Sequence, residues 1–555
     1  MPYSKPGVTV KQVQTTSSPN LATPSIYTAI TGEAFNIVEM DDQTYATTYD
    51  KDNDTDVVLT GMMGASDGSD IIGNSVVVQL YSLTAGYKHL NSIVDTTFVT
   101  VANKTVTILN PGSALDDWHG ATIKVWYREE NTNADSFVFK CNGIDDITAQ
   151  YGPVHPWNPI GYGLNIAMSN AGSSVYGIAV DDDNDADHTA ALQLLEGQDV
   201  YSLAPMTQAT ATLDNYPDHC QSMSSEANKR ERICFLSPKT TWTAGDGSTA
   251  THYSAGATPA SDNVNLDKTA EAEADNIVEK DKRVYSVFPD MGYVSMTIPM
   301  GMLDKGWFTD GTNVIWNNTG IVTINWKTSA EAAGDPDAYI YFDGTQVFDG
   351  VTYYGDTKVT AARMAALKAS TTATHVNVLM PVPGYYMAAA NAGLVSAKSP
   401  SAGHTNSSVS GTNRTWGGAD IFSQSRLDTV AAGGRFIMEQ TGISSPINIR
   451  HQMSTDRTSV ESQELSVVKA IDYVSKYVRD GVKPYIGSFN ITASFLKLVK
   501  TVLNAQGAFL RTEGVLDDFK VVKVEQNPSQ KDQVLVEISV LVQYPVNYIK
   551  ISLQF

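Results

Sequence analysis

The chain has 555 residues, 42% of them apolar and 18% charged, with a formal net charge of −22. That length leaves room for roughly three or four domains and a sizeable core, and the apolar fraction fits a folded chain. The acidic balance excludes a general nucleic-acid binder, because phosphate-backbone affinity needs clustered Lys and Arg. Cys141, Cys220 and Cys234 form no C-x-x-C pair and leave one over, which supports neither a disulfide framework nor a zinc knuckle. No apolar h-region follows the N-terminus, and no apolar stretch reaches the roughly 18 residues that span a bilayer. A soluble protein made in the cytosol, without membrane insertion, is expected.

In chain order, residues 1–25 read as an extended arm. Val8, Val10 and Val13 give a short strand signal, and a Thr/Ser/Pro-rich linker follows it. Residues 26–146 read as a β-rich outer module of sandwich or barrel type. Val76–Leu80, Phe98–Leu109, Thr122–Trp126 and Ser136–Phe139 are β-branched or aromatic runs separated by turn signals.

From 147 to 449 strands alternate with helices, which predicts βαβ crossovers and a mostly parallel buried sheet. Strands are expected at Val175–Val180, Val200–Leu203, Ile233–Leu236, Val284–Phe288 and His375–Met380. Helices are expected at Gly163–Asn170, Ala186–Glu196, Ala270–Lys280, Ala361–Ala369 and Tyr386–Ala397, with the end of another at Ser224–Lys229. A β insertion is expected at about 300–355.

Residues 450–543 read as a small α+β domain. Thr458-Ser459-Val460-Glu461 has the form of a capping box, and the helix it opens carries Leu465, Val468, Ile471, Val474 and Val478 before Gly481 and Pro484 stop it. A second helix starts near Thr492. At 100° per residue it gathers Phe495, Leu498, Val499, Val502, Gln506 and Phe509 on one face and Lys497, Lys500, Asn504 and Arg511 on the opposite one. Val534, Val536, Ile538 and Val540 mark one side of a half-buried strand. In the last residues, 544–555, Ile549, Ile551, Leu553 and Phe555 alternate with polar residues as a terminal strand. Both chain-end strands can pair within their own chain or with another subunit.

Little catalytic chemistry is legible. Asp181–His188 clusters acids without EF-hand spacing, since Ala186 stands where the loop glycine belongs and Leu192 where the glutamate belongs. The acids fit the N-terminus of the following helix. Asp218-His219-Cys220 has residue types suited to nucleophile activation, but sequence neighbours seldom face each other productively. No Walker A, Rossmann or G-x-S-x-G pattern occurs. These observations predict no catalytic, metal or cofactor residues.

Several segments resemble the contractile tail sheath family of bacteriophages and related injection machines. They are Pro6-Gly7-Val8-Thr9-Val10, the Pro-Gly-Tyr-Tyr-Met-Ala-Ala-Ala-Asn-Ala-Gly core within Pro381–Ala397, and above all the stretch from about 450 to 555. That stretch includes Arg450-His451, Glu464–Val468, Ile486–Thr492 and Tyr544–Ile549. The resemblance implies a multidomain α/β protein with a mostly parallel, subtilisin-like but non-catalytic body, β insertions, a small C-terminal α+β domain and extended arms. It implies a structural subunit of a virion, assembled in the host cytoplasm as stacked hexameric rings. Its partners would be other copies of itself, a tail tube protein, and baseplate and tail terminator proteins. Both arms would pair with sheets of neighbouring subunits, the strand containing Val534 would receive them, and the Lys497 face would meet the tube. A bacteriocin-like or secretion-type sheath is an alternative within the class, and a multidomain hydrolase with β-sandwich binding modules is one outside it.

Overall fold

The computed structural model describes residues 26–40, 122–132, 137–238, 279–299, 375–412, 424–440, 445–547 and 549–554, plus Ala134 and short strands in the stretches between. The N-terminal arm with Val8, Val10 and Val13, and the expected helices at Ala270–Lys280 and Ala361–Ala369, lie outside or almost wholly outside these residues. The chain divides into two compact units: one contains Ser399–Ala402 and Ser466–Val546, and the other contains Ile26–Lys398, Gly403–Leu465 and Asn547–Phe555.

The larger unit is built on a nine-stranded sheet. Its strands run in the order Ser408–Val409, Ile447–Ile449, Arg435–Glu439, Val284–Phe288, Ile233–Leu236, Ser202–Pro205, Thr28–Glu33, Val175–Val180, Phe139–Cys141. The six central strands, from Arg435–Glu439 to Val175–Val180, are mutually parallel. Antiparallel pairing appears only toward the two edges. Residues such as Ile233, Cys234, Phe235 and Leu236 are all buried, as expected of strands covered on both faces.

Helices Pro159–Ala171 and Tyr385–Ala397 pack closely on each other, on the strand Thr28–Glu33 and on its neighbour Val175–Val180 or Ser202–Pro205. Gly393 permits that approach, because a Cβ there would overlap the Ala167 carbonyl group and stand 2.9 Å from the Ala167 Cα. The helix is also pinned by hydrogen bonds. Thr28 Oγ1 and Ser202 Oγ both donate to the Ala392 carbonyl, at 2.8 and 2.9 Å, so two buried hydroxyls are satisfied by one backbone oxygen.

Three sequence expectations change here. Thr28–Glu33 and Phe139–Cys141, expected within the β-rich module 26–146, belong to the nine-stranded body sheet, where Thr28–Glu33 is a central parallel strand. His375–Pro383 does not join the parallel sheet; it pairs antiparallel with Met291–Pro299 over nine residue pairs, in a separate three-stranded sheet. The long Met291–Pro299 strand follows directly on Val284–Phe288 and supplies a nearer partner than the body sheet. Ser224–Lys229 is not helical, since helix Asn215–Met223 ends before it. The strands described between 35 and 130 are antiparallel, in sheets of four and three, and Phe98–Leu109 divides into Val99–Ala102 and Thr105–Ile108. At 339–360 four short strands form two two-stranded sheets.

The close helix packing is testable. Gly393→Ala should destabilise the unit by about 1–3 kcal/mol through overpacking, read as a lower denaturant midpoint. Gly197→Ala, where an added Cβ has nothing within 4 Å, should leave the midpoint unchanged.

Candidate functional site

Open α/β sheets bind ligands at the carboxyl ends of their strands, where crossovers depart to opposite sides. Here that position lies between Thr28–Glu33 and Ser202–Pro205, and protein fills it. Met206 wedges against the strand and helix Pro159–Ala171: a Cβ on Gly32 would stand 2.6 Å from the Met206 Cβ, and one on Gly163 would overlap the Met206 sulfur. Tyr386, fully buried, donates its hydroxyl to the Pro156 carbonyl at 2.8 Å. The remaining polar groups form a closed chain. Thr31 Oγ1 lies 2.5 Å from Tyr216 Oη, which lies 2.7 Å from His188 Nδ1, and His188 Nε2 lies 3.2 Å from Asp183. Thr31, Tyr216 and His188 are buried, so the chain ties strand to helices.

The acid run is taken up in the same structure. Helix Asp185–Leu195 opens at Asn184, whose side chain accepts from the Asp187 N–H, while Asp187 accepts from the Asp182 N–H at 3.2 Å and from Asn184 Nδ2 at 2.7 Å. These acids act as a capping network. Asp218-His219-Cys220 separates as a helix requires. Asp218 is exposed, His219 meets Arg232 Nη1 at 2.6 Å, and Cys220 is buried. Burial and the Arg232 charge lower the His219 pKa to about 4.

Glu33, at the carboxyl end of its strand, is the most perturbed carboxyl in this region. Burial pushes it up to about 7; the Asp183 and Asp182 charges add to the rise, while Arg128 and a hydrogen bond from the Asp183 backbone oppose it. The folded state therefore holds the Glu33 proton more tightly than the unfolded state. Stability from this group is full below about pH 4.5 and falls as pH rises toward about 7, by at most about 3 kcal/mol. Glu33→Gln should raise the melting temperature at pH 8 and leave it nearly unchanged at pH 4, as calorimetry at the two pH values would show.

The assembly residues expected from sequence lie in both units. In the smaller one, helix Leu465–Val482 is followed by a 3-10 turn at Lys483–Tyr485 and by helix Ala493–Thr512. Thr492 caps the second helix, accepting from the Phe495 N–H at 3.1 Å. Its buried face comprises Val499, Val502, Leu503, Gln506, Gly507 and Leu510, with Gly507 against the Phe519 ring. Lys497, Lys500, Asn504 and Arg511 are all exposed on the other side, and Arg511 reaches Asp518 at 4.0 Å.

Leu516–Gln526, for which the sequence gives no clean alternation, is a strand. It pairs antiparallel with Val534–Val542, with register shifts after Leu516 and Val521. Its Val-Val-Lys-Val core was the available signal, but irregular pairing blurs its alternation. The expectation of a half-buried Val534–Val540 strand is corrected. Val534 and Ile538 are partly buried, whereas Val536 and Val540 are 41% and 40% exposed and Leu535 and Leu541 are exposed too. Helix Ala493–Thr512 packs on Leu516–Gln526, and that is the strand whose Leu516, Phe519 and Val521 are buried.

In the larger unit, the last residues leave their apolar side chains in solvent. Ile549, Ile551 and Leu553 are 79%, 80% and 86% exposed, and 549–554 form no strand pairing within the described residues. Phe555 lies outside those residues. Among the described residues no helix is long and apolar enough to cross a membrane.

No protein-family model and no curated protein matches the chain. Among the solved structures similar to it are components of contractile sheaths and injection systems. A chain of the anti-feeding prophage baseplate shares 10% identity at a TM-score of 0.45, over 77% of this chain and 89% of that one. A chain of the PVC sheath complex in the contracted state, from an extracellular contractile injection system, has the same identity, score and coverage. The sheath tail protein of Desulfitobacterium hafniense shares 8% identity at a TM-score of 0.36, over 97% of this chain and 100% of that one.

Proposed function

We propose that the chain is the structural subunit of a contractile tail sheath of a bacteriophage. It polymerises as stacked hexameric rings around a tail tube and shortens to drive the tube through a bacterial envelope. A bacteriocin-like or secretion-type sheath would use the same subunit chemistry. The observation that carries the reading is the C-terminal arm: three alternating apolar side chains at 79–86% exposure on a segment that pairs with nothing described in its own chain. Such a strand is stable in a neighbour's sheet, where main-chain hydrogen bonds give affinity and alternate side chains fix register. The hairpin of Leu516–Gln526 and Val534–Val542 supports the receiving role, being two-stranded among the described residues and exposing Val536, Val540 and Leu541. The sequence resemblance over 450–555 supplies the family.

In this reading the N-terminal arm with Val8, Val10 and Val13 is a second connector, and the β-rich outer module faces outward. Residues 41–70 hold eight Asp against Lys51 alone, a composition suited to a solvated surface. Work comes from two packings of the same folded subunit, with no nucleotide consumed. The subunit is not an enzyme. Baseplate and terminator proteins cap the polymer.

Deleting 548–555 should leave a folded, soluble chain that forms no sleeves in negative-stain electron microscopy; sleeves of normal length would overturn the connector role. The exposed Lys497, Lys500, Asn504 and Arg511 face is assigned to an acidic tube surface, through weak contacts that salt screens. Lys497→Glu with Lys500→Glu should leave tube-free polymerisation intact and prevent extended sheath from forming on tubes. Normal extended tails would refute the assignment.

A further inference from the structure

The chain leaves the larger unit after Leu465 and returns to it at Asn547. The residues beside these two crossings, Glu464 and Asn547, are bonded to each other. Asn547 Nδ2 donates to Glu464 Oε1 at 2.9 Å, and His451 Nε2 reaches the same oxygen at 2.7 Å. Gln452 Nε2 donates to Glu464 Oε2 at 3.0 Å, and the Gln452 oxygen accepts from the His404 N–H at 2.8 Å. Thr405 Oγ1 lies 3.5 Å from Asn547 Oδ1. Asn547 Nδ2 also lies 3.1 Å from His451 Nε2. A hydrogen on both nitrogens lets the carboxylate accept from each, so Glu464 is the hub.

The backbone is shaped to this hub. Ser459 caps a four-residue helix, Val460–Gln463. Glu464 then leaves the helical region, with φ −86° and ψ 117°, and bridges Met453 before helix Leu465–Val482 begins. Helix Val460–Gln463 and helix Leu465–Val482 would be one helix without that break. The interruption turns the Glu464 side chain inward, where it is 1% exposed. A carboxyl so withdrawn from water needs its partners, and Asn547 is one of three side chains that reach it among the described residues.

We infer that Glu464, His451, Gln452 and Asn547 form a clasp that fixes the root of the C-terminal arm to its own body, so that the arm leaves the subunit from one point in one direction. The consequence for assembly rests on the sheath reading. A pre-aimed arm loses less conformational freedom on entering a neighbour's sheet than one free to swing, and tension on the arm is delivered to the body sheet through Glu464. Asn547 is a positioning residue. An open pocket of about 450 Å³, lined by Thr405, Asn406, Arg450, His451 and Arg457 among others, adjoins it and leaves space for the arm root to move if the clasp opens.

The test uses the full-length monomer and needs no polymer. Cys141, Cys220 and Cys234 are buried, so nitroxides at Ser222→Cys and Ile549→Cys label selectively. Electron–electron double resonance should give one narrow distance distribution. Asn547→Ala should at least double its width at every pH. Asn547→Asp places a second carboxyl against Glu464 and should broaden the distribution similarly at pH 8. At pH 5 it should narrow again, because two adjacent carboxyls can share a proton. The ionisable groups near the clasp, Glu464, His451, Arg450, Glu439, Asp428 and Arg457, all remain in both variants.

An unchanged melting temperature would show that broadening is local. A wild-type distribution as wide as that of Asn547→Ala, or an Asn547→Asp distribution indifferent to pH, would overturn the clasp. Loss of sleeves on deleting 548–555 tests the sheath reading separately, so either idea can fail alone.

Discussion

A carboxylate removed from water has to be met by donors, and Glu464 draws them from segments far apart in the chain. His451 and Gln452 follow the strand Ile447–Ile449, and Asn547 comes from beyond the hairpin. The Gln452 side chain in turn holds the His404 loop. One buried carboxyl therefore fixes three ends of two excursions of the chain: before Ser466 and after Val546, and after Ala402. Replacing it with an apolar residue would remove the desolvation cost, but it would also remove the reason for these segments to meet. The same demand breaks a helix that its sequence would otherwise continue.

The terminal residues present the opposite problem. Ile549, Ile551 and Leu553 keep their apolar surface in water. At about 25 cal/mol per Å² that exposure is unfavourable unless another surface takes it up. A short extended segment with no ladder cannot hold itself as a strand, because nothing in it repays the backbone entropy. An alternating pattern therefore specifies a strand only where a partner exists. The two-stranded hairpin is the complementary case, with register set along eleven- and nine-residue strands but with one outer edge on each. Two-stranded sheets are marginal alone, and here helix Ala493–Thr512 supports one of the strands.

These differences show what the sequence could disclose. Val175–Val180, Ile233–Leu236 and Val284–Phe288 were legible to the residue, because strands buried on both faces are mostly apolar, uncharged runs between turn signals. The parallel body and the helix at Thr492 followed from the same periodicities. The pairing of His375–Pro383 was not legible, since a strand's composition does not name its neighbour. Nor was the break at Glu464: the cap sits one residue later than the Thr458 pattern implies, at Ser459, and the interruption comes from residues 13 and 83 positions away. The exposure of Val536 and Val540 was likewise invisible, because alternation gives a face and not what covers it. The clasp needed residues from 404, 451, 464 and 547 brought together, with no local motif announcing it.

Charge is divided unevenly along the chain. Residues 450–555 contain 13 Lys and Arg against 11 Asp and Glu, a balance of +2, while the whole chain stands at −22. In a closely packed polymer of such subunits, like-charged bodies repel over about 8–10 Å at physiological salt, so charge cannot be what draws the bodies together. Main-chain hydrogen bonds and apolar side chains on the arms carry no such sign and depend little on salt. The near-neutral C-terminal stretch is where mutual repulsion is weakest, and it is also where the arm, the hairpin and the cationic helix face reside. Cohesion in the proposed assembly would then be nearly independent of ionic strength, while repulsion between the bodies would weaken as salt rises. Low salt would favour the wider spacing of the acidic bodies without undoing the connections between subunits.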